Sequence, residues 1–164
     1  MRLPASLQNP LSPLFWLALL RIMLGLVFLT TWFSNFLKGF YTPDGLQRFF
    51  AEAFPQSENP LAFYADFINN VILPARGIFA PFQLVAEFLL GLALVAGVFT
   101  PFFSVAGIFF LANVYLATFG HDWPWAYWMP MGILSVCMLA RAGRSLGVDA
   151  ILVKRFGEPK LPLW

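Results

Sequence analysis

Cysteine and histidine are almost missing from this 164-residue chain, which has one of each, Cys137 and His121. A lone cysteine excludes an intrachain disulfide, a Cys-x-x-Cys redox pair and a thiolate cage for a metal. A lone histidine excludes a haem with two histidine ligands, and the two residues together leave zinc without its usual ligand set. Charge is scarce as well. Acidic and basic residues make up 11% of the chain and sum to a net charge of +2. The basic residues are not interleaved along a solvated face, so neither nucleic acid nor an acidic soluble substrate is expected as a partner. The paired, interrupted hydrophobic segments that mark many transporter sites are absent, as are internal repeats and low-complexity stretches.

What the chain has instead is apolar length. Apolar residues are 60% of the total and mean hydropathy is +0.74, values that belong to lipid rather than water. A hydrocarbon core of about 30 Å needs about 20 apolar residues per crossing, and four windows qualify: residues 14–37, 78–98, 101–119 and 123–140. The first follows Pro13, whose missing N–H costs nothing in a helix's first turn. No small-residue cleavage site follows it, so MRLPASLQNPLSPLFW reads as the entry to an uncleaved span. Gly97-Val98-Phe99-Thr100-Pro101 is too short for anything but a tight helical hairpin. Gly120-His121-Asp122 separates the third window from the fourth, in which Pro130 is expected to kink the helix. The predicted fold is an all-α integral membrane four-helix bundle, a single domain over residues 1–164.

Lysine and arginine set its orientation. Arg141, Arg144, Lys154, Arg155 and Lys160 lie in the tail 141–164 and Arg2 in the N-terminal segment, whereas Lys38, Arg48 and Arg76 are diluted by Asp44, Glu52, Glu58 and Asp66. Both ends are therefore expected in the cytoplasm of an inner (plasma) membrane protein, with loop 38–77 and His121 outside. Trp32, Tyr41, Trp123, Trp125, Tyr127 and Trp128 are expected at the outer headgroup level. In the loop, Thr42-Pro43-Asp44 reads as a helix start. Two stripes, Leu46, Phe49, Phe50, Ala53 and Leu61, Tyr64, Ala65, Ile68 with Val71-Ile72, predict short amphipathic helices that lid the bundle or lie on the membrane. In the tail, Ser145 is expected to cap a helix whose Leu146, Ile151, Leu152 and Phe156 meet the membrane while Lys154 and Arg155 meet anionic headgroups. Membrane lipids and other membrane subunits are the expected partners.

An ionised side chain at mid-bilayer costs upwards of about 2.5 kcal/mol, and the four windows contain two, Arg21 and Glu87. Counted from the cytoplasmic ends of antiparallel helices they lie about 12 and 16 Å deep, which predicts a buried pair. Such a pair is either a clamp that fixes helix register or the inner end of a site where Glu87 moves a proton. Asn113, Gln83, Asn35 and then His121 with Asp122 follow toward the outside. This funnel, walled by phenylalanines, suits a quinone headgroup, although interhelical hydrogen bonding uses the same residue types. His121, at a helix end among tryptophans, reads equally as an interfacial residue. Glu87 and Arg21 are thus the candidate catalytic residues, and Gln83, Asn113, His121 and Asn35 the candidate binding residues for a quinone. No metal ligand set is expected.

The polar anchors also form a recognisable series. Leu20-Arg21-Ile22-Met23-Leu24-Gly25-Leu26-Val27-Phe28, Lys38-Gly39-Phe40, Ala86-Glu87-Phe88-Leu89-Leu90-Gly91 with Gly97-Val98-Phe99-Thr100, and Gly143-Arg144-Ser145-Leu146-Gly147-Val148-Asp149-Ala150 follow in order over nearly the whole chain. In this the chain resembles the DoxX-like family, and within it the small membrane subunit of thiosulfate:quinone oxidoreductase (DoxD). It departs from that pattern at Trp32-Phe33-Ser34-Asn35, where relatives often carry a histidine-glycine pair, and at Pro101, where a basic residue is common. The resemblance implies a four-helix subunit that works with partner proteins in redox or sulfur metabolism, with quinone as electron acceptor. One expected function is therefore a subunit of a quinone-linked oxidoreductase, not catalytic alone, fed electrons by a partner or a bound substrate. The other is a non-catalytic accessory subunit of a larger respiratory or photosynthetic complex, for which an 18% aromatic content suits an exterior made for packing.

Overall fold

The computed structural model describes residues 12–159, 161, 163 and 164; Arg2 and Lys160, two of the charges used for orientation, and the rest of residues 1–11 lie outside them. Among the described residues the chain is helical, with no strand. Its α-helices are α1 (Pro13–Leu37), α2 (Pro43–Arg48), α3 (Ala62–Phe67), α4 (Arg76–Ala96), α5 (Thr100–Ala117), α6 (Trp125–Leu139) and α7 (Val148–Phe156). Helices α1, α4 and α5 are long and apolar enough to cross a membrane. Helix α6 is apolar but has 15 residues, so at 1.5 Å per residue it is about 22 Å long, short of a hydrocarbon core of about 30 Å. Pro124 stands at its entry, Arg141 turns the chain away with φ +50°, and Pro130 lies inside it without ending it.

The hairpin between α4 and α5 is set by backbone conformation. Helix α4 stops at Gly97, in the left-handed region with φ +64°, whose N–H returns to the Ala93 carbonyl, the usual role of a glycine just past a helix. Phe99 follows with φ +46°, an uncommon conformation for a bulky residue. The Asp149 carboxylate supports it by accepting from the Phe99 N–H at 2.7 Å and the Thr100 N–H at 2.9 Å, while the Asp149 N–H donates to the Gly97 carbonyl at 2.9 Å. Asp149 is thus the cap of α5, and it ties α7 to the hairpin. Helix α7 itself begins after Gly147 with no side-chain cap. Ser145, expected in that role, stands two residues before the cap position, Gly147, because Leu146, at φ +48°, redirects the chain.

Helix α1 packs along α4 and α5 along α6, and the two pairs meet over narrower contacts. Two glycines fix the first pair. A Cβ on Gly25 would stand 2.7 Å from the Val95 nitrogen and 3.0 Å from the Gly91 carbonyl oxygen, and one on Gly91 2.8 Å from Leu29. Even Gly25→Ala therefore collides with backbone, and a loss of about 1–3 kcal/mol is expected from overpacking. It would be read as a lowered thermal midpoint in detergent; an unchanged midpoint would contradict this helix register.

Residues 43–72 form a helical cover. Thr42 caps α2 by accepting from the Gly45 N–H at 3.0 Å. Both α2 and α3 run on into π-helical turns, Phe49–Ala53 and Ile68–Ile72. A π turn carries an extra residue, and Ala53 and Val71, which 3.6-residue spacing places on the apolar stripes, are exposed. Leu46, Phe50, Tyr64, Ile68 and Ile72 are buried and cluster with Ala80 of α4 and Ala117 of α5. Gln56 donates to the Ala117 carbonyl at 3.0 Å and Asn59 to the Leu116 carbonyl at 3.0 Å. They satisfy carbonyls that the end of α5 leaves free and fasten the cover to that helix.

At the other end of the chain, Arg144 and Arg141 both bond Glu158. The Arg144 hydrogen bond is the main cause holding the Glu158 carboxyl below its ordinary 4.5. A depressed carboxyl stabilises above its ordinary value, and that contribution is lost as pH falls through the lower folded value. The Trp164 indole, which donates to the Gly157 carbonyl at 3.2 Å, should report this. Its N–H resonance is expected to drift toward the unstructured position below pH 4.5 at low salt and to hold steady from pH 5 to 8, the region above the carboxyl's titration.

Candidate functional site

Between the two helix pairs lies a cavity of about 820 Å³. It is lined by Leu24, Phe28 and Leu90, which cluster with Leu94 and Leu134, and its roof is the helical cover, through Phe49, Phe50, Tyr64 and Ile68. Ten of the chain's 20 phenylalanines line it together with Leu, Ile, Val and Ala side chains, so its walls are mostly apolar and any polar group in them is conspicuous. The polar groups are Asn35 and Thr31 from α1, Gln83 and Glu87 from α4, Asn113 from α5, and the phenols of Tyr64 and Tyr127.

Glu87 is 5% exposed and its Oε2 accepts a hydrogen bond from the Tyr41 hydroxyl. Tyr41 is itself buried, and burial, with Glu87 adding to it, pushes its phenol far above the ordinary value, so it remains a donor. Burial likewise pushes the Tyr64 phenol up to about 12, and it donates to the side-chain Oδ1 of Asn113 at 2.8 Å. Asn113 also donates to the Phe109 carbonyl at 2.7 Å, one turn back on α5. Gln83 sits one turn from Glu87 on the same helix. An ionisable side chain at membrane depth with a named buried partner is the usual mark of a functional site.

Three sequence expectations are corrected here. Arg21 and Glu87 do not pair. Arg21 is fully buried and donates to the carbonyls of Ala142 at 3.3 Å and Leu146 at 2.9 Å, among Gly97, Gly147 and Cys137. Gly25 lies against Val95, and the Trp32 indole donates to the Leu84 carbonyl at 2.9 Å, so Glu87 stands level with the region of Trp32. Some three turns of α1, about 15 Å, separate it from Arg21. Counting depth from the helix ends misled because α1 overhangs the α4–α5 hairpin by about two turns. His121 does not join the cluster: it is exposed, with its ring edge toward Phe54. Trp32, Tyr41 and Tyr127, expected at the headgroup level, turn into the protein. Trp32 packs on α4, Tyr41 holds Glu87, and buried Tyr127 donates to Asp122 at 2.6 Å.

Residues 16–121 match the DoxX family. The matched stretch is well over half the chain and contains α1, the cover, α4 and α5, hence every polar lining residue but Tyr127. This chain belongs to the DoxX family. Searches of curated proteins and of solved structures return no match. In this DoxX protein Tyr64 is visible in the sequence only as one member of an apolar stripe, and Tyr41, Gln56 and Asn59 carry no signal that ties them to the site. Tyr41 stands beside Lys38-Gly39-Phe40 and looks like one more interfacial ring. Gln56 and Asn59 look like loop solvent contacts. Only burial distinguishes them, and burial depends on how the cover folds back.

Proposed function

We propose that this DoxX protein is a membrane subunit of a quinone-linked oxidoreductase, nearest in kind to DoxD, and that it binds a quinone ring in the cavity between its helix pairs. The observation that carries the reading is the buried Glu87 carboxyl, hydrogen-bonded by Tyr41, in the wall of a mostly apolar cavity. A pocket of this size, apolar with a few converging polar groups, is the usual form of a site for a small flat ligand. Quinone supplies two-electron, two-proton redox chemistry. The chain supplies placement and protons: Gln83 and Asn113 offer amides to the ring oxygens, and Glu87, steadied through Oε2, holds or releases a proton at its carboxyl. With one cysteine and one histidine in the sequence, the electrons come from a partner protein or from a bound reduced substrate.

In this reading α6 is the fourth crossing. Its shortness is met by local thinning of the bilayer and by Trp123, Trp125 and Trp128, all exposed at its entry, in the headgroup layer. The basic residues Arg141, Arg144, Lys154 and Arg155 support a tail on the cytoplasmic side of an inner membrane. Those same exposed rings, with Met129, favour a second reading, in which the protein is an accessory subunit packed against other helices of a larger complex.

Purification from native membranes in mild detergent, followed by mass spectrometry of bound lipids and proteins, separates the two. A quinone near one per chain together with an oxidoreductase partner supports the first. A large respiratory or pigment complex with no quinone assigned to this chain supports the second.

A further inference from the structure

Side chains that line the cavity and are also exposed on the helix exterior fall along two seams. On α4, Phe82, Val85 and Leu89 are 63%, 52% and 47% exposed, and on α5 Phe109 is 70% exposed. The three α4 residues follow at i, i+3 and i+7 and so form one stripe. Leu90 beside Gly107 sets the antiparallel register of α4 and α5, so Phe82–Leu89 runs past Ala106–Asn113, within about one turn. The opposite seam is bordered by Val27 and Thr31 on α1 and Ala126 on α6.

We propose that the α4–α5 seam is a lateral portal, through which a long-tailed, membrane-dissolved ligand enters from the hydrocarbon phase and in which its tail remains. This rests on the reading that the cavity holds a quinone ring. Gln83 and Glu87 belong to one wall of this seam and Asn113 to the other, so a ring passing inward meets them first. The exposed side chains bordering the seam are apolar, whereas its counterpart carries Thr31. Water has the harder path, since the cover is bonded to the end of α5 by Gln56 and Asn59. A cavity of about 820 Å³ takes a drug-sized molecule; a polyisoprenoid tail has to lie outside it, and the apolar seam is continuous with lipid.

The test uses the full chain in nanodiscs with two probes, a ubiquinone carrying a polyisoprenoid tail and its one-isoprene analogue. Val85→Trp narrows the α4–α5 seam and Val27→Trp the other; both sites are exposed, so both variants should fold. Val85→Trp is expected to weaken the long-tailed quinone at least about tenfold, leaving the short analogue within about twofold, while Val27→Trp changes neither. The portal is overturned if Val85→Trp spares the long-tailed quinone, if it weakens both probes alike, or if Val27→Trp has the effect instead. A wild-type chain that binds neither probe overturns the ring site, and the portal with it.

Discussion

Arg21→Met is expected to cost about 3–5 kcal/mol of stability, enough to leave little folded protein at 37 °C. Arg21 is the largest fully buried side chain among the described residues, and its guanidinium holds the segment after α6 at two points, the carbonyls of Ala142 and Leu146. Methionine fills much of the space but leaves the Leu146 carbonyl without its donor in a dry interior and the Ala142 carbonyl with only the long Ser145 N–H bond of 3.4 Å. It also removes the positive charge nearest the buried Asp149 carboxylate, which caps α5 and steadies the strained Phe99. Arg21→Lys should rescue only part, since an ammonium lacks the planar fork that reaches two carbonyls. Thermal unfolding in dodecyl maltoside, followed by circular dichroism, measures the loss. A wild-type midpoint for Arg21→Met would show that the 142–149 segment is held by something else. Whatever fraction of the variant folds should bind ligand normally, because Arg21 lies about 15 Å along the helix from the cavity's carboxyl.

Glu87→Gln should behave in the opposite way, folding with a midpoint close to wild type while quinone reduction by the assembled complex falls by about a hundredfold or more, the usual scale for a lost proton donor or acceptor. Glutamine keeps the shape and still offers Tyr41 an acceptor oxygen, so the cavity wall is preserved while the exchangeable proton is lost. Tyr41→Phe, which leaves the carboxyl in place but unsteadied, should lose less. Full activity in Glu87→Gln would make the carboxyl ordinary interhelical glue. On the proposed function the two substitutions divide the two charges of the apolar windows, Arg21 holding the fold and Glu87 serving the site.

That division was not legible in the sequence, although the presence of both charges was. Long apolar windows are read easily because a lipid environment demands them, and the observed helix ends differ from the windows by at most two residues, at the α4–α5 hairpin because Gly97 and Phe99 take left-handed conformations. Relative depth is another matter. It depends on where α1 slides along α4, which the close approach of Gly25 to Val95 and Gly91 decides, and a uniformly apolar helix does not reveal which glycine meets which. The polar lining of the cavity was partly foreseen: Asn35, Gln83, Glu87 and Asn113 do share it, while exposed His121 does not. Tyr41 and Asp149 escaped because their partners lie 46 and 50 residues away, across folds of the chain that periodicity does not describe. Asp149 was noticed only as part of a motif, and its work as the cap of another helix needs the tertiary structure.

The most direct measurement is photoaffinity labelling of the protein in native membranes with an azidoquinone, followed by peptide mapping of the adducts. Labels on the cavity faces of α4 and α5, around Gln83, Glu87, Phe109 and Asn113, and their suppression by excess unlabelled quinone, are the predicted result. Labels confined to the exposed tryptophans at the entry to α6, or insensitive to competition, would contradict the placement of a quinone site between the helix pairs.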